Sequence, residues 1–189
     1  MNATFDGVGI VAAGGLSRRM GTNKAMLQRH GTKWIDHAHD LLSSICGEVL
    51  ISCGKDHPGD FNNYPLLIDR HPNIGPIAAL DSALHRRPGC PIFLLAVDMP
   101  YVDKSLLSMI SRNRNALKDA TVPFTKEDDR WHPLCAIYEP SCHNTLQDQI
   151  DAGIYALWRC LSKLDVVPVF VDDGLSLLNV NTPEGLEGL

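Results

Sequence analysis

Several side chains in this chain are spaced so that they could handle a phosphate. The stretch Ile10-Val-Ala-Ala-Gly-Gly-Leu-Ser-Arg-Arg-Met-Gly-Thr-Asn-Lys24 runs from a short apolar segment into two glycines, two arginines, a third glycine and a lysine. Adjacent glycines let the backbone approach a ligand closely and turn its N–H groups toward phosphate oxygens. Arg18, Arg19 and Lys24 would add fixed positive charge to that cradle. The stretch lacks both the Lys-Ser/Thr ending of the Walker loop and the glycine spacing of the dinucleotide fingerprint. Its plainer reading is a strand, a glycine turn and a solvated basic loop.

Asp98 is the sharpest single candidate. It follows the apolar run Pro91–Val97 and precedes Met99-Pro100. A carboxylate in that place must be solvated, paired or bound to metal, because an isolated buried charge is very costly. Magnesium takes one or two protein carboxylates and completes its shell with water and phosphates, a role that suits Asp98 opposite a basic glycine loop. The competing reading is a carboxylate that caps the next helix or pairs with an arginine. Lys24 and Arg19 would offset charge that develops on a transferred phosphoryl group. One of the two arginines is expected to be ordinary solvent-exposed charge. An acceptor that is already an ionised phosphate needs no general base. His132-Pro133, preceded by Trp131, could edge a substrate pocket, although a lone histidine is more often a hydrogen-bonded structural residue. Asn179 and Asn181 flank Val180 and share one side of an extended segment, where they could serve one ligand or make turn hydrogen bonds.

These residues need elements to carry them. Val8–Ala13, Val49–Cys53, Leu66–Ile68, Pro91–Val97 and Ala120–Phe124 read as strands. Apolar residues at helical spacing predict helices over Trp34–Ile45, closed near Gly47, over Pro76–Leu84 and around Ser105–Ile110. That alternation argues for an α/β layered domain with a largely parallel sheet. In such sheets ligands sit beyond the carboxyl ends of the strands, where the glycine loop, Asp69 and Asp98 all fall. Lys126–Arg130 reads as a charged turn and Pro133–Tyr138 as a strand that returns antiparallel. Thr145–Ile150 and Ile154–Leu164 read as helices, and Val166–Val171 as a late strand whose Pro168 suggests an edge position or an irregularity. Thr182 and Pro183 would open a C-terminal helix.

The whole chain narrows the classes. Its 189 residues fit one domain over 1–189, with a hydrophobic share of 44%, a charged share of 21% and a formal net charge of −5. That balance argues against a general nucleic-acid binder and leaves room for a local basic pocket. No apolar run approaches a membrane span, and the start carries no signal-peptide pattern, so the expectation is a cytoplasmic protein. The six cysteines form no CxxC pair and read as buried free thiols.

Taken together, the motifs resemble those of molybdenum cofactor guanylyltransferases, in family order over almost the whole chain. The loop Ala12–Lys24 is similar to that family's glycine-rich signature, and Ile68-Asp69 with Gly75-Pro76-Ile-Ala-Ala to its acidic position and Gly-Pro element. Asp98-Met-Pro resembles its Asp-x-Pro motif, and His132-Pro133 and Asn179-Val-Asn-Thr-Pro-Glu184 its late substrate-side motifs. The resemblance implies a three-layer α/β nucleotidyltransferase (Rossmann-like) fold, mostly parallel with an antiparallel strand. It implies transfer of GMP from GTP-magnesium to the terminal phosphate of molybdopterin bearing molybdenum, with release of pyrophosphate. Ala12, Ala13, Gly14 and Gly15 would hold the nucleotide through backbone groups, Lys24 would meet its phosphates, and Asp69 would sit on the nucleoside side. Asp98 would hold Mg2+, and His132, Asn179 and Asn181 would face the pterin. Transient contact with proteins that deliver or receive the cofactor, an apo-molybdoenzyme among them, is compatible with it.

The chain departs from the family pattern at four places. Ala12 replaces a leucine, and Ser52 stands where some members carry a nucleoside-contacting asparagine. The loop between Gly21 and Lys24 is one residue shorter than in some relatives, and no arginine falls around Gly153-Ile-Tyr155. Two alternatives follow: the same chemistry with CTP, and a nucleotide-binding assembly or regulatory module without turnover.

Overall fold

The computed structural model describes residues 5–14, 24–55, 61–172 and 174–180. In chain order the elements are β1 (Phe5–Ala12), β2 (Gln28–Arg29), β3 (Thr32–Lys33), α1 (Trp34–Ser43), β4 (Cys46–Cys53), β5 (Leu66–Ile68) and α2 (Pro76–Arg86). There follow β6 (Ile92–Ala96), α3 (Lys104–Arg112), β7 (Ala120–Thr125), β8 (Arg130–Trp131), β9 (Cys135–Tyr138), α4 (His143–Asp151), α5 (Leu157–Cys160) and β10 (Val166–Val171).

One eight-stranded sheet forms the middle layer, ordered β10-β7-β9-β6-β1-β4-β5 with β8 on β7. The block β6-β1-β4-β5 is parallel throughout. β9 lies antiparallel between β6 and β7, and β10 pairs parallel with β7 at the edge. Both the antiparallel return and the edge placement of Pro168 match the expectation. An edge strand tolerates a residue with no N–H because one side of its ladder is unpaired.

The apolar runs are continuous because both faces of the sheet are covered. Along β6, Phe93 and Leu95 join Trp34, Ile35 and Leu42 of α1 and Leu107 and Ile110 of α3 in one core. Ile92 and Leu94 join Ile77, Leu80 and Leu84 of α2 and Leu146 and Ile150 of α4 in the other. The result is a three-layer α/β fold with a mostly parallel sheet.

Five local readings are corrected. β1 starts at Phe5 rather than Val8, and β4 at Cys46 rather than Val49. α1 stops at Ser43, where the last turn tightens: the Ser44 hydroxyl donates to Leu41 O and the Ile45 N–H to Leu42 O, three residues back rather than four. Ile45 keeps helical spacing only because it is buried in the same core. Ile154–Leu164 is not one helix: Gly153 is left-handed, Ala156 is extended, and α5 has four residues before a 3-10 turn at Leu161–Lys163. Arg130 belongs to a strand rather than a turn, and the β2–β3 hairpin was not anticipated. Its His30-Gly31 turn has positive φ at both residues, the geometry that matches strand twist in two-residue hairpins.

Candidate active site

The parallel register brings the carboxyl ends of four strands to one edge of the sheet. Ala12 lies level with Ser52 on one side and Ala96 on the other, and Cys53 with Ile68. The ladder continues past the strand ends: Ala13 N–H donates to Ser52 O (3.1 Å), Val97 N–H to Ala12 O (3.2 Å) and Asp69 N–H to Cys53 O (2.9 Å). The loops that leave these strands are therefore aimed by backbone bonds. Between them lies a cleft of about 150 Å³ lined by Ala12, Ala13, Gly14, Lys24, Ser52, Asp69 and Asp98, with Gly75, Pro76 and Ala79 from the start of α2.

At one end, Asp69 is buried and accepts a hydrogen bond from the fully buried Ser52 hydroxyl. Burial raises the Asp69 pKa, and the Ser52 bond acts against that rise. Gly14 comes so close that a Cβ built on it would lie 2.8 Å from Asp69 Oδ2. The glycine there is required by the carboxylate's position. Gly75, at φ 81°, caps α2 ahead of Pro76 and turns the helix start toward the cleft. That end of a helix carries partial positive charge suited to an anion.

At the other end, the Asp98 side chain is 19% exposed and its Oδ2 lies 3.5 Å from Lys24 Nζ. Asn179 Nδ2 donates to Asp98 Oδ1 (3.3 Å), and Val180 N–H donates to Asp98 O (2.9 Å). Desolvation raises the Asp98 pKa, while the lysine charge and its hydrogen bond lower it. Lys24 opens a short 3-10 turn rooted by buried Ala25, and Leu27, just beyond, is tied to Lys24 O and to Trp34 N–H. The hairpin thus anchors the chain from which the lysine reaches across.

A second cavity of about 440 Å³ adjoins the first at Leu134. Met99, Arg130, Trp131, His132, Trp158 and Asn179 line it. His132 is buried, with its Nε2 3.1 Å from Thr125 Oγ1, which itself hydrogen-bonds Asp128. Because the threonine hydroxyl gives its proton to the carboxylate, it accepts from Nε2–H, which leaves Nδ1 as an acceptor. Burial lowers the His132 pKa, Arg130 lowers it further, and Asp128 opposes both. The imidazole is neutral at pH 7.

Ala12, Ala13, Gly14, Lys24, Ser52, Asp69 and Asp98 thus share one cleft, and His132 and Asn179 share the cavity beside it. Gly15, Arg18, Arg19 and Asn181 lie outside the described residues. Ser52, singled out only through the resemblance, proves to be the hydrogen-bond partner of Asp69. Trp158 and Arg130 were not anticipated as lining residues. Arg130 brings positive charge to the second cavity, although Tyr155 and its neighbours supply none.

A three-layer fold whose parallel strands bring Gly14 and two aspartates to one cleft, with Lys24 reaching in and a second cavity alongside, is that of a nucleotidyltransferase domain. Residues 9–167 match the model of the MobA-like NTP transferase domain, and the chain belongs to that family. It is 31% identical over 183 residues to a probable molybdenum cofactor guanylyltransferase of Mycobacterium tuberculosis, covering 94% of this chain and 90% of the relative. It is 27% identical over 180 residues to a molybdenum cofactor biosynthesis bifunctional protein of Synechocystis, of which it spans 51%, about half the length. Among solved structures, molybdopterin-guanine dinucleotide biosynthesis protein A from Archaeoglobus fulgidus superposes with a TM-score of 0.79 at 26% identity, covering 95% of each chain. No helix among the described residues is long and apolar enough to cross a membrane.

Proposed function

We propose that this chain transfers GMP from GTP to the terminal phosphate of molybdopterin and releases pyrophosphate. The observation that carries this reading is that Asp98, on the lining of the cleft, is hydrogen-bonded to Asn179, on the lining of the adjoining cavity. The carboxylate faces Lys24 on the cleft side and Asn179 on the side of the second cavity. A group so placed can act on a donor phosphate and an acceptor phosphate at once. The nucleotide would lie in the cleft along Ala12, Ala13 and Gly14, with its nucleoside toward Asp69 and Ser52 and its phosphates toward Lys24; the resemblance adds Gly15 and Arg19 to its contacts. Ala12, Ala13 and Ala79 present small side chains along that cleft. The pterin would occupy the second cavity beside His132 and Asn179; the resemblance adds Asn181 to its contacts.

In the reaction an acceptor phosphate oxygen attacks the α-phosphorus of GTP. The bond from that phosphorus to the oxygen bridging to the β-phosphate breaks, and pyrophosphate leaves with that electron pair. The acceptor oxygen is already ionised, so no side chain removes a proton. Lys24 offsets charge that develops on the phosphates, and the ladder-held loops align donor and acceptor.

The residues suit a magnesium ion. Asp98 is a largely buried carboxylate that burial disfavours in its charged form, so added positive charge would stabilise it. Among the described residues no group of three or more His, Cys, Asp or Glu forms a closed metal cage. One carboxylate is what magnesium needs when phosphates and water complete its shell. Bound at Asp98, it would neutralise charge on the phosphate oxygens.

The test is pyrophosphate release with GTP, CTP, ATP or UTP, each with and without molybdopterin and magnesium. Release that requires acceptor and occurs with GTP supports the proposal. Acceptor-dependent release with CTP and not GTP would replace guanine by cytosine. Nucleotide binding with no release under any condition would leave a binding module.

A further inference from the structure

We propose that Trp158 is the ring-stacking wall of the second cavity and selects a flat heteroaromatic acceptor over a sugar or polyol phosphate. The inference rests on the acceptor reading of that cavity. Trp158 is 61% exposed, although it lies within α5, whose Leu157 and Cys160, with the following Leu161, carry the core contacts. The helix therefore packs without the indole. An indole left in water forgoes the free energy that burial of a large apolar side chain supplies. At the edge of a cavity, that exposure is useful when a ligand covers the ring.

The other indole of the lining differs in kind. Trp131 is half-buried and packs on Phe124 with ring centroids 4.9 Å apart, and Phe124 in turn meets Phe170. Trp131 is thus a fixed surface, and Trp158 is the open one. The same lining carries His132, with a neutral ring and an acceptor nitrogen, the Asn179 amide, the Asp129 carboxylate and Arg130, whose charge can meet an anion. Two indoles with a few polar groups around them match a planar heterocycle that has hydrogen-bonding edges and a phosphate. A polyol phosphate offers no face to stack. The Arg159 guanidinium, 5.1 Å from the Trp158 ring centroid, draws on the same π-system and helps set the indole's orientation.

The experiment compares Trp158→Ala, Trp158→Leu and Trp158→Phe with the unaltered chain in steady-state assays, with Asn179→Ala as a control on the cavity. Base-on-aromatic stacking is lost by about 5- to 150-fold on truncation to alanine, so Trp158→Ala should raise the molybdopterin KM by that factor. The GTP KM should stay unchanged, and thermal unfolding should move by no more than a few degrees. Trp158→Phe should recover most of the affinity, whereas Trp158→Leu, apolar but without a π-face, should resemble alanine. Direct binding of an oxidised pterin monophosphate, followed by quenching of tryptophan fluorescence, should weaken in the same order. If Trp158→Ala leaves the acceptor KM unchanged while Asn179→Ala raises it, the stacking role is overturned and the cavity keeps its assignment. If neither variant changes it, the acceptor reading of the cavity fails as well. If leucine restores affinity as well as phenylalanine does, the contact is merely apolar and the selection of aromatic acceptors is refuted.

Discussion

Replacing Ser52 by alanine probes the nucleoside end of the cleft at a single atom. Its hydroxyl donates to Asp69 Oδ1, and both residues are buried, so water cannot replace the lost bond without rearrangement. A hydrogen bond to a charged group contributes about 1.5–3 kcal/mol, so Ser52→Ala should cost roughly that much at neutral pH. For a domain of this size the corresponding drop in melting temperature is about 3–12 °C. The penalty should depend on pH, with a definite sign. Burial holds the folded Asp69 pKa above its ordinary value, and the Ser52 bond opposes the rise. A carboxyl raised in the folded state binds its proton more tightly there, so its contribution to stability falls as pH rises from the unfolded pKa through the folded one. Loss of the hydroxyl raises the folded pKa further and widens that window. The difference between the two proteins is therefore full above both folded values. Below them it shrinks toward the cost of a neutral hydrogen bond, about 0.5–1.5 kcal/mol. Urea unfolding of both proteins at neutral pH and at a pH well into the acid range measures this directly. An equal penalty at both pH values, or a larger one in acid, would refute the claim that Ser52 supports an ionised Asp69.

Gly14→Ala sets a methyl 2.8 Å from Asp69 Oδ2, and strain of this kind typically costs about 1–3 kcal/mol. Removing the carboxylate in Gly14→Ala/Asp69→Ala should recover much of that loss, which a double-mutant cycle by urea unfolding would detect as strong non-additivity. Arg114 grips the buried Glu139 through two hydrogen bonds of 2.6 and 2.9 Å, at the end of the sheet away from the cleft. Arg114→Ala strands that carboxylate and should cost about 3–5 kcal/mol in chemical unfolding, while the nucleotide KM stays unchanged wherever the variant is folded.

What could be read from sequence followed from punctuation. Apolar runs that stop at Gly14, Asp69 and Asp98 mark strand ends, and a parallel sheet brings such ends together. The pairing of Ser52 with Asp69 was hidden because it requires β4 and β5 to be neighbours in one register, which neither strand states by itself. Trp158 was hidden for the opposite reason. Its spacing with Leu157 and Leu161 fits a long helix, yet the chain breaks at Gly153 and Ala156 and leaves the indole outward. The β2–β3 hairpin is too short to show alternation, and only the Gly31 turn signals it. The aspartates were legible as charges, but the near-continuity of the two cavities at Asp98, Leu134 and Asn179 exists only in the fold.

The central claim is that Asp98 serves donor and acceptor alike, and its most direct test is product formation by the chain and its Asp98→Asn variant. Each is incubated with GTP, magnesium and molybdopterin, and the dinucleotide and pyrophosphate are measured together by mass spectrometry and phosphorus NMR. The account predicts a one-to-one yield of guanine dinucleotide and pyrophosphate from the unaltered chain. In Asp98→Asn it predicts a loss of about 100-fold or more, on the scale of removing one electrostatic stabiliser, with an unchanged melting profile. A folded Asp98→Asn protein that forms the dinucleotide at the unaltered rate would contradict it.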